Sequence, residues 1–463
     1  MKILILGAGQ VGSTAAYNLA QEEQNEITVV DTDAEVLKEL SDRLDIRTVE
    51  GFASHPRVLE QAGCNDADIM IALTNSDETN MVACQVAYTL FHTKTKIARV
   101  RESAYTHPSV SRIFSQDALP VDVIISPEQL VTEHIERLIH FPGALQVLEF
   151  ADGKVRLVGV TAHEGGLLVG QELRALAEHM PNTDARVAAI YRDGLSVMPD
   201  GDTVIQEGDN VFFIAERNDI RMVMSEMRKL ETPVRRVLIA GGGNIGYQLA
   251  KVLERTNKVK LIERDRDRAR RISEKLRKTI VLTGDAADQN LLLEENIENT
   301  DVFVSVTNSE EANILSAMVA KRLGVKKAIA LINRPSYGEV VESGGVIDVA
   351  VSPQQITSGA LLSHVRRGDV VKVHTLRRGA AEALEAIAHG DKETSQVVGR
   401  ALEDIDLPKG STIAAIVRDE EVIIAHHDVV VERDDHVILF LTDRTKIPAV
   451  EDLFQVSVNF SNS

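Results

Sequence analysis

The sequence predicts an α/β fold in which two tandem parallel-sheet domains are each followed by a smaller mixed α/β domain. Three observations lead there. The chain repeats itself at an offset of 234 residues, close to half its length of 463. Each repeat opens with a short apolar strand, a glycine turn and a helical pattern. Each long αβ segment is then followed by a shorter one that is richer in strands and hairpin turns.

The repeat is the strongest of these signals, because a fixed period decides the architecture before any local reading. GAGQVGSTAAYNLA from Gly7 recurs as GGGNIGYQLAKVLE from Gly241. ITVVDTD (27–33) recurs as VKLIERD (259–265), and ADIMIALTNSDETNM (67–81) as TDVFVSVTNSEEANI (300–314). ISPEQLV (125–131) pairs with VSPQQIT (351–357). In the shorter segments VAAIYRDG pairs with IAAIVRDE, and VIQEGDNVFFI with VVERDDHVILF. Breaker chemistry at Pro142-Gly143, Thr232-Pro233 and Arg367-Gly368 sets the boundaries. The predicted domains are therefore 1–141, 142–231, 232–367 and 368–463.

In the long segments KILILGAG and RVLIAGGG are continuous apolar runs, as strands buried on both faces of a parallel sheet require. Glycine turns lead into amphipathic helices at the spacing of a right-handed crossover. The short segments alternate more and carry RDG and EGD turns, which read as hairpins. One stretch, Leu376–Asp391 (LRRGAAEALEAIAHGD), is rich in Ala and Glu and lacks a close counterpart in the first half. It is expected to be an inserted helix.

Two glycine motifs carry the chemistry. In GAGQVG, Gly7 permits the tight turn, Gly9 lets the backbone approach a pyrophosphate, and Gly12 allows close packing of helix on strand. The amides of Ala8, Gln10 and Val11 and the helix dipole favour phosphate. Asp31 ends the next strand, where a carboxylate accepts from both ribose hydroxyls and repels a 2′-phosphate. That favours NAD over NADP, while ATP and ADP carry the same diol. Gly241, Gly242, Gly243, Asn244, Ile245 and Glu263 repeat the arrangement. The run RDRDRARR after Glu263 reads as the solvated face of a helix.

A third motif, TNSDETN and its counterpart TNSEEAN, follows an apolar strand in each repeat. Ser76 and Ser309 are expected as helix N-caps with acids in the first turn. Thr74 and Asn75, and Thr307 in the second repeat, fall at the carboxyl ends of strands, where open α/β sheets bind ligands. Gly51 and Asp285 end further strands and line the adenine side. Arg99 ends the following strand, within reach of a phosphate. Its aligned position is Leu331, so the two sites differ.

Composition narrows the classes. A formal charge of −19 argues against a nucleic-acid partner. No apolar run approaches the roughly 20 residues of a membrane span, and MKILILGAGQ is already a strand and turn rather than a cleavable signal. The two cysteines, Cys64 and Cys84, lack metal spacing and are expected as buried thiols. His426-His427 and His436 lack the helical spacing of a metal motif. A cytoplasmic location follows from these features. An NAD-dependent oxidoreductase remains the alternative reading, but the short segments share no evident acid–base pair for hydride chemistry.

The motifs GAGQVG, SHPRVLEQAG, SDETNMVACQVAY, PGALQVLEFA, MSEMRKLETPVRRVLIAGGGNIG, LRRGAAEALEAIAHGD and VVGRALEDIDLP resemble, nearly end to end, the tandem RCK (KTN) regulators of bacterial potassium uptake. The resemblance implies two Rossmann-like RCK N-domains, each followed by a small mixed α/β RCK C-domain. It implies a non-enzymatic regulatory subunit that binds NAD or NADH and adenine nucleotides such as ATP and ADP. It implies a membrane partner of the TrkH or TrkG type, a position on the inner face of the cell membrane, and a homo-oligomeric, tetrameric ring. The site residues it implies are Gly7 to Val11, Asp31, Gly51, Thr74, Asn75 and Arg99, then Gly241 to Ile245, Glu263, Asp285 and Thr307. Tyr247 stands where relatives carry a small residue, which narrows the mouth of the second site.

Overall fold

The computed structural model describes the chain except for 22–24, 107, 182, 198, 230–231, 367–368, 377–380, 426–427 and 457–463. Four sheets are built, alternating six parallel strands with five antiparallel ones.

The first sheet takes β1 (Lys2–Leu6), β2 (Glu26–Asp31), β3 (Arg47–Glu50), β4 (Ile69–Ala72), β5 (Thr95–Arg99) and β6 (Val123–Ile125) in the order β3-β2-β1-β4-β5-β6. All its pairings are parallel. The strands are joined by α1 (Gln10–Ala20), α2 (Ala34–Ser41), α3 (Pro56–Gln61), α4 (Asp77–Phe91) and α5 (Ser103–Thr106), and α6 (Pro127–His140) follows. The strand order reverses between β1 and β4, which is the switch point where such sheets open a crevice at their carboxyl edge. The central strands are fully buried, as at Ile3, Leu4, Ile5 and Leu6.

The third sheet repeats the first: β12 (Arg236–Ala240), β13 (Lys258–Glu263), β14 (Ile280–Thr283), β15 (Val302–Ser305), β16 (Lys327–Leu331) and β17 (Val349–Val351), ordered β14-β13-β12-β15-β16-β17. Its helices are α9 (Asn244–Leu253), α10 (Arg266–Lys275), α11 (Gln289–Glu294), α12 (Glu310–Arg322), α13 (Pro335–Ser343) and α14 (Pro353–Val365).

The antiparallel sheets are β10-β9-β11-β8-β7 and β18-β19-β22-β20-β21. The first comprises β7 (Ala144–Phe150), β8 (Val155–Thr161), β9 (Ala185–Arg192), β10 (Leu195–Val197) and β11 (Asn210–Glu216), with α7 (Ala175–His179) and α8 (Ile220–Met227). The second comprises β18 (Val370–Leu376), β19 (Ala381–Ile387), β20 (Ser411–Arg418), β21 (Glu421–Ile424) and β22 (His436–Leu441), with α15 (Ile447–Leu453). The β9–β10 hairpin turns on Asp193 and Gly194, both at positive φ, the turn whose twist matches paired strands.

The expected helix at Leu376–Asp391 is not formed. Its described residues include the strand β19, aligned with β8 and paired on both sides, with β18 and with β22. Ala and Glu favour helix, but propensity is a weak prior against a buried position in a sheet. Ala381, Ala383, Leu384 and Ala386 are buried, and Glu382 and Glu385 with them. Side chains of both antiparallel sheets form one core, including Phe150, Leu157, Phe212, Ile214, Leu376, Ala383, Ile438 and Phe440. Burying each of the larger ones contributes about 1.5–3 kcal/mol.

The chain divides into two compact units. Residues Met1–Leu130 and Gln354–Arg366 form one, so that most of α14, from the second repeat, belongs with the first parallel sheet. Residues Val131–Pro353 and Arg367–Ser463 form the other, which holds α6 beyond its first turn, the second parallel sheet and both antiparallel sheets. The cysteines are free and buried, Cys64 beside Thr93 and Cys84 within α4. Among the described residues no helix is long and apolar enough to cross a membrane.

Candidate functional site

At the carboxyl edge of the first sheet, β1 ends in a turn that only glycine serves. Gly7 holds φ at +102°, and a Cβ there would stand 2.9 Å from the Thr74 backbone nitrogen. A Cβ on Gly12 would lie 1.9 Å from the Gly7 carbonyl oxygen, so α1 crosses the strand end closer than any side chain permits. Gly9 is the N-cap of α1, and a Cβ there would meet nothing within 4 Å. The first turn of α1, with Gln10 and Val11, therefore faces an open edge with its amide donors and dipole.

Asp31 closes one side. Its Oδ2 accepts the Ala8 amide at 2.5 Å and its Oδ1 the Asp33 amide at 3.0 Å. The carboxylate is thus fixed one strand away from the glycine turn, where a ribose bound across the edge would meet it. The Gly51 amide donates to the Asp31 carbonyl at 2.8 Å, which places Gly51 on the same edge, at the end of β3.

Thr74 closes the other side through a residue the sequence reading missed. Asn80, wholly buried on α4, accepts from the Thr74 amide at 3.0 Å and the Thr74 hydroxyl at 2.7 Å. Its Nδ2 donates to the Thr74 carbonyl at 3.3 Å and to the Arg99 carbonyl at 2.9 Å. One amide side chain thereby ties the end of β4 to the end of β5. The signal was present in the last Asn of both TNSDETN and TNSEEAN. Ser76 caps α4, accepting from the Thr79 amide at 3.1 Å. The carbonyl of Asn75 accepts from Arg101 Nη2. Arg99 pairs with Glu128 at 3.3 Å.

The second edge repeats the frame. Gly241 holds φ at +106°, and a Cβ on Gly246 would again stand 1.9 Å from a glycine carbonyl, that of Gly241. Gly243 caps α9, whose first residues are Asn244 and Ile245. Glu263 Oε2 accepts the Gly242 amide and Oε1 the Asp265 amide, each at 2.8 Å. Buried Asn313 accepts from the Thr307 amide at 2.8 Å and hydroxyl at 2.7 Å, and donates to the Leu331 carbonyl at 3.0 Å. Asp285 is exposed and receives the Ala287 amide at 2.9 Å. Tyr247 lies with its ring centroid 6.0 Å from Lys275 Nζ.

The structure thus gathers Gly7, Ala8, Gly9, Asp31, Thr74 and Arg99 along one sheet edge, and Gly241, Gly242, Gly243, Glu263 and Thr307 along the other. Histidine placement is ordinary by comparison. His436 Nδ1 lies 2.6 Å from Glu385, and His426-His427 fall outside the described residues. Among the described residues no cluster of His, Cys, Asp and Glu could hold a metal ion.

Comparison with known proteins follows the same division. The TrkA-N domain model matches residues 3–127 and 237–353, and the TrkA-C domain model matches 157–228 and 392–455. The chain is 61% identical to the Trk system potassium uptake protein TrkA of Halomonas elongata over 460 residues, covering 99% of this chain and 100% of that one. It is 58% identical to the protein of that name from Vibrio alginolyticus and 51% identical to that of Haemophilus influenzae, with the same coverage. Among solved structures the GsuK RCK domain superposes with a TM-score of 0.61 at 18% identity, covering 97% of this chain and 95% of that one. The GsuK channel bound to NAD superposes with a TM-score of 0.60 at 18% identity, over 97% of this chain and 79% of that one. At that identity the likeness speaks for the fold. Tandem domain matches and full-length identity together place the chain in the TrkA family of Trk system potassium uptake proteins.

Proposed function

We propose that the chain is a nucleotide-responsive regulatory subunit that gates a membrane potassium-uptake protein of the TrkH or TrkG type. The observation that carries this reading is the twofold construction of one site within a potassium-uptake family. Two sheet edges carry the same glycine turn, the same fixed carboxylate and the same Thr–Asn clamp. The ligand in this reading is NAD or NADH, with ATP and ADP as competitors for the same ribose and phosphate positions. The GsuK channel, of the same fold, is described as bound to NAD. Gly7 to Val11 and Gly241 to Ile245 receive phosphates. Asp31 and Glu263 take the ribose. Gly51, Thr74, Asn75, Arg99, Asp285 and Thr307 line the remainder.

In the same reading the functional domains are 1–141, 142–231, 232–367 and 368–463, four chains close a ring, and the ring docks on the cytoplasmic face of the membrane. A nucleotide drives such a ring only through unequal affinity for two ring shapes. The test is potassium flux through the membrane subunit in liposomes, with this protein and NADH, NAD, ATP or ADP added in turn. The expected result is a nucleotide-dependent flux that disappears with Asp31→Ala. Flux indifferent to the protein and to every nucleotide would overturn the reading and return the oxidoreductase alternative.

A further inference from the structure

The second parallel sheet carries a run of charge that the nucleotide edge does not use. Between Lys251 and Lys278 the chain holds twelve Lys and Arg residues against five acids, in a protein whose formal charge is −19. The aligned stretch of the first half, 17–46, holds two against nine. One backbone frame thus carries a local excess of +7 in one copy and −7 in the other.

The fold turns most of these acids toward the backbone and leaves the cations outside. Glu254, buried at the C-cap of α9, accepts the amides of Arg277, Lys278 and Thr279 at 3.1, 2.9 and 3.0 Å. Glu263 is held by the Gly242 and Asp265 amides, and Asp265 caps α10 through the Arg268 amide at 2.7 Å. Lys260 pairs with Glu295, Arg268 with Glu263, and Arg270 with Glu274. Arg255, Arg264, Arg266, Arg271, Arg277 and Lys278 are exposed and form no ion pair among the described residues.

The cations spread over the outer side of two neighbouring helices. Lys275 Nζ of α10 lies 6.0 Å from the ring centroid of Tyr247 on α9, and Glu254 ties the end of α9 to the residues that follow α10. On α10 only Ala269 and Ile272 turn to the core, and every other residue is exposed. Apart from Ser273, all of those are charged. A globular partner ordinarily needs an apolar centre to its interface, and α10 offers none. An array of phosphate headgroups needs charge alone. Salt at about 0.1 M screens charges beyond about 10 Å, so the local excess governs such a contact and the −19 of the whole chain does not.

We propose that this α9–α10 face docks on a membrane surface of anionic phospholipid headgroups. The exposed guanidinium and ammonium groups meet the headgroup phosphates, and no side chain has to enter the acyl layer. The corresponding face of the first half, with its excess of acid, is repelled by the same surface. The charge difference between the repeats therefore selects the second half for this contact. The inference goes beyond the proposed gating and stands without it, since it needs neither a nucleotide nor the membrane subunit.

The test is co-sedimentation of the full-length, nucleotide-free protein with vesicles of phosphatidylcholine alone and of phosphatidylcholine mixed with phosphatidylglycerol. Binding is expected with phosphatidylglycerol only, and it should fall steeply as NaCl is raised. Each cation near such a surface contributes about fivefold in affinity. Arg266→Ala combined with Arg271→Glu gives the two positions the side chains that Ala34 and Glu39 hold in the first half. That pair of changes should weaken binding about a hundredfold. Lysine at both positions should hold it within about threefold, because headgroups read charge rather than the shape of the guanidinium fork. Both positions are exposed, and an unchanged thermal midpoint checks the fold of each variant. Equal binding to phosphatidylcholine alone, no binding to phosphatidylglycerol, or undiminished binding by Arg266→Ala with Arg271→Glu would each overturn the proposal. So would release by inorganic phosphate at an ionic strength where chloride has no effect, which marks a discrete phosphate pocket. A protein that binds no vesicle, yet changes flux through the membrane subunit when so substituted, would overturn it in favour of an acidic protein partner.

Discussion

In the first site a short acid faces an alanine, and in the second a long acid faces a glycine. Asp31 reaches the Ala8 amide at 2.5 Å, and Glu263 reaches the Gly242 amide at 2.8 Å. A Cβ added to Gly242 would stand 2.9 Å from Glu263 Oε2 and 2.6 Å from Ile272 Cδ1. The extra methylene of Glu263 thus occupies room that Ala8 fills in the first site. Beside the acid, Val36 in the first half becomes Arg268 in the second, with Nη1 3.7 Å from Glu263. Two edges with one backbone frame have drifted in side chains that act as sets, and each set keeps its carboxylate on the glycine-turn amide.

The largest effect is expected where the frame itself is touched. Gly12→Ala and Gly246→Ala each force a Cβ to within 1.9 Å of a backbone carbonyl, so helix and strand must part. Each should cost about 3 kcal/mol or more of stability, as overpacking against rigid backbone does. Each should also remove ligand binding at its own edge alone. Calorimetric stoichiometry falling from two sites to one in both variants checks the shared frame. Full stoichiometry in either would break it.

Next comes the buried asparagine. Asn80→Ala strips partners from the Thr74 amide and hydroxyl and the Arg99 carbonyl, and Asn313→Ala strips those of Thr307 and Leu331. Unsatisfied buried groups cost about 1–3 kcal/mol each, part of which local relaxation recovers. A loss of about 2–4 kcal/mol is expected for either in urea denaturation. The sites then separate on ATP. Asn80→Ala should weaken it further by releasing the Arg99 backbone, whereas Asn313→Ala releases only a leucine.

The paired drift gives a smaller and more diagnostic effect. Gly242→Ala alone should cost about 1–3 kcal/mol through the clash with Glu263 and Ile272. Shortening the acid with Glu263→Asp should recover much of that, because the double variant copies Ala8 and Asp31. A double-mutant cycle with a coupling energy near zero would show that the two positions drifted independently.

Much of this was legible in the sequence because it rests on local geometry. The glycine turns, the acids at the ends of β2 and β13, and the caps Ser76 and Ser309 each need particular residues at fixed offsets. What was not legible depends on partners distant in the chain. The AAEALEAIA stretch reads as helix by propensity, yet β19 is a strand because β18 and β22 pair with it and both its faces are covered. The Arg99–Glu128 pair spans 29 residues and joins two elements whose proximity only the fold supplies. The placement of α14 with the first sheet has no local signature either.

The smallest effect separates the halves by pH. His134 on α6 is buried and His374 on β18 is half-buried, and their aligned positions hold Ala360 and Leu148. Burial pushes the pKa of each down to about 3, helped for His134 by the charges of Arg137, His374 and Lys327, and for His374 by Lys372. His374 Nε2 lies 3.3 Å from the Glu149 carbonyl, so the neutral ring donates there. Both groups therefore ionise more readily in the unfolded chain, near pH 6.5, than in the folded one. Their contribution to stability is fully present above pH 6.5 and is lost as pH falls from there toward about 3. Within that window each histidine should remove about 1.4 kcal/mol per pH unit, one proton's worth of linkage. Replacing each with the residue of the other half, as His134→Ala and His374→Leu, should flatten the acid limb of the urea midpoint between pH 6.5 and 5 by about half per substitution, if these two rings dominate proton uptake there. The two substitutions should add, because both rings stay neutral in the folded chain across that window. An acid limb unchanged in the double variant would place the proton uptake elsewhere and leave these two rings as ordinary core residues.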